Sequence, residues 1–91
     1  MTGWDLRNIR RFNRISQPEF ARLFGRSSRE LVSKVERNNE FVPTVWVNAL
    51  SYLLGVNLNN EEVLRNYFMA MPEKYKTVDP RIKRRLHSVL L

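Results

Sequence analysis

Ser16-Gln17-Pro18-Glu19-Phe20-Ala21-Arg22-Leu23-Phe24-Gly25, followed after three residues by Arg29-Glu30-Leu31-Val32-Ser33-Lys34-Val35-Glu36, decides how this chain folds. Each position has its own steric task. Ala21 is small where two helices cross with their backbones close together. Gly25 can take the positive φ of a tight turn after a helix. Val32 is a stiff apolar residue one turn into the second helix, directed back at the first. Ser16 with Glu19 and Ser27 with Glu30 have the spacing of capping boxes, and Pro18 falls in a first turn, where a missing N–H costs nothing. Together these positions specify a helix–turn–helix unit.

The reading extends outward in both directions. Thr2 and Asp5 frame a capping box for a first helix with Leu6, Ile9 and Phe12 inward, ending near Asn13 or Arg14. The second helix carries Phe20, Ala21, Leu23 and Phe24 and stops at Gly25; the third leads into Leu31, Val32 and Val35. Asn38 and Asn39 can both adopt the left-handed conformation of a helix end. Pro43-Thr44 opens a fourth helix with Val45, Ala49, Leu50 and Leu53 inward, closed by Gly55. Asn59, ahead of Glu61 and Glu62, caps a fifth that runs to about Met71. Pro72 to Val78 is a polar connection, and Asp79-Pro80 caps a terminal helix with Ile82, Leu86 and Val89 on one side. No strand-like alternation or internal repeat interrupts this pattern, so the class is all-α.

Ninety-one residues, 43% of them hydrophobic and ten of them aromatic, suit one small folded domain. There is no cysteine, which excludes a disulfide framework and a thiolate metal site. No apolar run reaches the ~18–20 residues of a membrane span, so the expected protein is soluble and cytoplasmic, without a membrane partner. Charge supplies the functional clue. Residues 1–41 hold nine basic and five acidic side chains, net +4; residues 42–73 hold Arg65 against Glu61, Glu62 and Glu73, net −2. Residues 74–91 hold six basic side chains against Asp79, net +5, giving +7 overall. Such a chain favours polyanions.

Over Leu6 to Val63 the chain resembles the phage Cro/repressor (Xre) family of helix-turn-helix DNA-binding proteins. The resemblance is carried by Leu6 to Arg10, Ile15-Ser16-Gln17 through Ala21, Leu23-Phe24-Gly25, Val32 to Arg37, Pro43 and Leu53-Leu54-Gly55-Val56. It implies a compact five-helix domain, lambda-repressor-like, over 1–71, with a recognition helix at about 28–37 and a basic extension over 72–91. It also implies base contacts from Arg29, Glu30, Ser33 and Lys34. Arg29 suits guanine O6 and N7, Lys34 the same acceptors singly, and Glu30 cytosine N4. Glu30 has a second reading as a capping-box member, and Ser33 as a small residue permitting close approach. Phosphate contacts fall on Gln17, Ser28, Asn38, Asn39 and Thr44, with Arg22 and Arg26 added from an outward face and a turn; each of these arginines also reads as a solvated surface charge. Arg10 and Glu36 are, by the resemblance, an internal ion pair rather than a DNA contact.

Three departures stand out. Arg14 replaces a family glycine, so either it or Asn13 must take positive φ, at about 1 kcal/mol for the arginine. Asn38 replaces another glycine. The stretch from Gly25 to Glu36 is one residue longer than usual, with the extra residue placed near Arg26 and Ser27. No catalytic constellation is present: His87 has no partner at metal spacing, three glycines cannot build a phosphate loop, and neither metal nor cofactor is expected. Trp46 and Tyr52 read as core rather than as a pocket. The tail has three readings: a cover for the core, a dimer contact, or a contact to DNA or an anionic membrane. Dimerisation is preferred, because one module offers few base contacts. The expectation is a homodimeric prokaryotic or phage repressor of transcription, bound to double-stranded DNA on the nucleoid. The alternative from another class is an antitoxin or inhibitor that binds a toxin or other regulator through the same fold.

Overall fold

The computed structural model describes residues 1–24 and 29–78. Five helices follow one another: α1 (Gly3–Phe12), α2 (Gln17–Arg22), α3 (Arg29–Arg37), α4 (Thr44–Leu54) and α5 (Glu61–Ala70), then a single 3-10 turn at Glu73–Tyr75. The architecture is all-α. Gly25, the turn residues 26–28 with the Ser27 cap, and the terminal segment from Asp79, including His87, lie outside the described residues.

Local chemistry explains the helix starts. Asp5 accepts the Thr2 N–H at 2.9 Å ahead of α1. Ser16 and Glu19 cap one another at the start of α2, each bond 3.2 Å. The bonds from the Ser16 hydroxyl and amide hold the Glu19 carboxyl below its ordinary range. The box is therefore charged at neutral pH and weakens as pH falls through that lowered value. At α5 the cap is Asn60, one residue later than Asn59, with its side-chain oxygen accepting from Glu62 and Val63. Asn59 instead donates to Asn48 across the α4–α5 connection at 2.6 Å.

Three helices end in one geometry. Ile15 N–H reaches Arg10 O, Glu40 N–H reaches Val35 O, and Val56 N–H reaches Ser51 O. Each of these closes six residues around a left-handed residue: Arg14 (φ 57), Asn39 (φ 50) and Gly55 (φ 71). Arg14, not Asn13, takes the strained position after α1, and Asn39, not Asn38, takes it after α3. The second helix stops at Arg22, before Gly25.

The core gathers Leu6, Ile9, Phe20, Ala21, Val32, Val35, Val42, Trp46, Val47, Leu50, Leu58 and Met71. Phe24 stacks on Trp46 at 5.1 Å, and Phe20 meets both edge-on. Four expectations about the inward faces do not hold. Leu31 is exposed because Val32, Val35 and Glu36 define the inner side of α3, and Leu31 lies off it. On α4 the inner side is Trp46, Val47 and Leu50, which leaves Val45 and Leu53 outside and Tyr52 in solvent. The large ring of Trp46 fills the space beside Phe20 and Phe24, and the helix rotates to place it there. Phe12 sits at the edge of the core, against Tyr67 and Tyr75. The supposed polar connection after α5 is seated on α1: Asn8 donates to Thr77 O at 3.0 Å, and the Thr77 hydroxyl donates back at 2.6 Å.

Gly3 has a role that capping logic does not suggest. A Cβ there would overlap the Val35 carbonyl oxygen and lie 2.9 Å from Glu36 Cα, all of it backbone that has no side-chain freedom to yield. Gly3→Ala is expected to destabilise by about 3 kcal/mol or more. Arg14→Gly, which removes the left-handed strain at an exposed site, is expected to stabilise by up to about 1 kcal/mol. Urea midpoints read both; an unchanged Gly3→Ala midpoint would show that the N-terminal segment is not seated on α3.

Candidate nucleic-acid interface

The outer face of α3 is held by what its inner face does. Glu36 is buried at the end of α3, and the Arg10 guanidinium meets it in parallel, Nε to Oε2 and Nη2 to Oε1, both 2.8 Å. Arg10 Nη1 donates to Ile15 O at 2.8 Å, and Gln17 Nε2 donates to Glu36 Oε1 at 3.2 Å. One ion pair thus joins α1, the turn after it, the start of α2 and the end of α3. Fork-to-fork geometry of this kind fixes orientation as well as distance.

With Val32, Val35 and Glu36 inward, Arg29, Glu30, Lys34 and Arg37 are exposed and Ser33 is half-buried. Arg29, Glu30, Ser33 and Arg37 line, with Gln17, an open depression of about 450 Å³. A neighbouring one of about 340 Å³ shares Gln17, Ser33 and Arg37 and adds Trp4, Arg7 and Glu36. Arg7 lies over the Trp4 ring, 4.7 Å from its centroid. Lys34 stands outside both depressions, on the far side of Glu30. The nine-residue helix is about 13 Å long at ~1.5 Å per residue and carries three cations and one carboxylate outward. Those are dimensions and charges that a major groove accepts.

The remaining candidates are distributed unevenly. The Gln17 side chain is committed to Glu36, so its backbone N–H is what it offers an outside group. The Asn39 side chain is committed too: its oxygen accepts the Trp4 N–H at 3.0 Å and closes the first turn of α1, beside the Gly3 N–H to Glu40 O bond of 2.8 Å. Arg22, Asn38 and Thr44 are exposed. Arg26 and Ser28 lie outside the described residues. Arg37 was missing from the residues singled out by sequence, although its place four residues after Ser33 puts it on the same helix face. Trp4 and Arg7 reach this surface through tertiary packing, which no local pattern signals. Among the described residues no three His, Asp or Glu side chains gather to hold a metal ion. No described helix is long and apolar enough to cross a membrane.

No protein-family model, curated protein or solved structure matches this chain.

Glu36→Gln leaves the buried Arg10 without its charge partner and is expected to cost about 3–5 kcal/mol. Asn39→Ala removes one cap and is expected to cost about 1 kcal/mol. A Glu36→Gln protein that melts like wild type would place the residue outside the scaffold.

Proposed function

We propose that the protein is a sequence-specific regulator of transcription that reads double-stranded DNA with α3 in the major groove. In this reading it is a Cro/repressor-type protein that acts as a homodimer on an inverted repeat, in the cytoplasm of a prokaryote or phage host. The observation that carries the reading is the division of labour on α3. Its inner side is locked to α1 and α2 through the Arg10–Glu36 pair, and its outer side presents Arg29, Glu30, Ser33, Lys34 and Arg37 around an open depression. A rigid helix with donors and an acceptor facing outward is what base readout requires. The net charge of +7 supplies the non-specific attraction. Arg29 would take guanine O6 and N7, Glu30 cytosine N4, and Lys34 a further acceptor. Arg22, Asn38, Thr44 and the Gln17 amide are placed for phosphates. Two-fold pairing would set two such helices about 34 Å apart.

Selection of bound sequences from random DNA provides the site, and an inverted repeat is the expected outcome. On that site Arg29→Ala is expected to cost ~1–3 kcal/mol and to relax selectivity at one base position. Arg22→Ala should weaken selected and random DNA alike. Affinity should fall with salt at a log–log slope of about −0.9 per phosphate contact, near −5 for a dimer making roughly three contacts per subunit. A protein that enriches no sequence and shows a flat salt dependence does not bind DNA, and a partner protein then becomes the object of the fold.

A further inference from the structure

The α4 helix, Thr-Val-Trp-Val-Asn-Ala-Leu-Ser-Tyr-Leu-Leu, contains no charged residue, in a chain that carries +7. Only one side of it is used by the core. Opposite Trp46, Val47 and Leu50 stand Val45, Ala49, Tyr52 and Leu53, at i, i+4, i+7 and i+8, which is one helix face. Val45 is 68% exposed, Tyr52 92% and Leu53 49%, and Phe41, just ahead of the helix, is 86% exposed. A solvated helix face ordinarily carries polar or charged side chains. This one is aliphatic and aromatic.

We propose that this face of α4 is where two copies of the chain associate, packed helix against helix across a two-fold axis. Charge argues for a second copy as the occupant. Residues 1–41 carry net +4 and residues 74–91 net +5, so contact through either region brings like charges together. The stretch 42–73 is the one with a negative balance, and α4 within it is uncharged. Symmetry of the residues argues for it as well. Val45, Ala49 and Leu53 form a ridge of four-residue steps centred on Ala49. Antiparallel pairing of two such ridges sets Ala49 near the axis, where its small side chain allows close approach, and places Val45 against the partner's Leu53. Tyr52 and Phe41 extend the contact on either side. Aromatic side chains bury about 150–250 Å² each, so the patch offers on the order of 500 Å² per copy. Two copies would bury about 1,000 Å², the lower limit for a specific interface, which points to micromolar dissociation.

The pairing is the one invoked in the DNA-binding reading and rests on it only for its purpose, so its test is made without DNA. In sedimentation equilibrium the full chain is expected to rise with concentration from 10.9 kDa toward twice that mass. Val45→Lys and Leu53→Glu lie on exposed positions and should keep the wild-type melting temperature. Each alone should raise the dissociation constant at least tenfold. Mixing the two variants should restore association, because Val45→Lys on one copy then faces Leu53→Glu on the other. A chain that stays monomeric at concentrations well above the micromolar range overturns the assignment. So does a dimer indifferent to both substitutions, or a mixture that remains monomeric. A dimer that behaves as described but enriches no DNA sequence removes the DNA-binding reading and leaves this one standing.

Discussion

A guanidinium and a carboxylate taken out of water together each lose a hydration shell, and only good geometry with every remaining donor satisfied offsets that loss. The Arg10–Glu36 pair meets this condition. Glu36 accepts from two nitrogens of Arg10 and from Gln17, and the third Arg10 nitrogen reaches the Ile15 carbonyl. Because these partners belong to α1, the turn after it, α2 and α3, the pair is a four-way registration point. Sliding α3 by one residue would replace Glu36 with Val35 or Arg37 opposite a buried cation. The penalty for that error selects one register among those that hydrophobic packing alone would tolerate.

That register sets the close contacts at the other end of α1. With Glu36 held, Val35 and Glu36 bring their backbone against Gly3, where no Cβ fits. The chain then turns through Asn39, whose side chain caps α1 at Trp4, and Glu40 accepts from Gly3. Val42 bonds back to Met1, so the first residues are clamped along the segment that leads into α4. An ion pair at one end and a glycine-to-backbone contact at the other make α1 and α3 a rigid unit. The depression beside Gln17 and Ser33 is the outer surface of that unit.

What could be read from sequence follows the range of the interaction responsible. The Ser16–Glu19 box, the Asp5 carboxylate at the Thr2 amide and the left-handed Gly55 are settled within four residues, and each was legible. The class and order of the five helices followed from them. One-residue shifts, Asn60 for Asn59 and Asn39 for Asn38, arise because neighbouring asparagines have equal local preference and tertiary contacts choose between them. Asn39 is chosen because its side chain then reaches Trp4. The orientation of α4 was not legible for a different reason: a helix apolar on every side has no periodicity to reveal which side is covered. Arg14 was identified as one of two candidates for the strained position; the bond from Ile15 to the Arg10 carbonyl decides it. On the candidate interface, Arg29, Glu30, Ser33 and Lys34 follow from helix periodicity, and Arg37 should have. Trp4 and Arg7 depend on a contact spanning some thirty residues.

The two helix faces that serve no structural purpose in one copy differ in kind. That of α3 carries three cations and a carboxylate, groups that solvent already satisfies and whose variation leaves Val32, Val35 and Glu36 undisturbed. A surface of that sort can change its preferred partner without endangering the fold. The face of α4 is uncharged, and its Val45, Tyr52 and Leu53 gain nothing from water. Burying apolar surface is favourable at about 25 cal/mol per Å², so exposure of this face is a standing cost that a partner would remove. The sequence spends its charge on one helix and withholds it from the other, and the ion pair between α1 and α3 lets the first of these surfaces vary while the scaffold beneath it stays fixed.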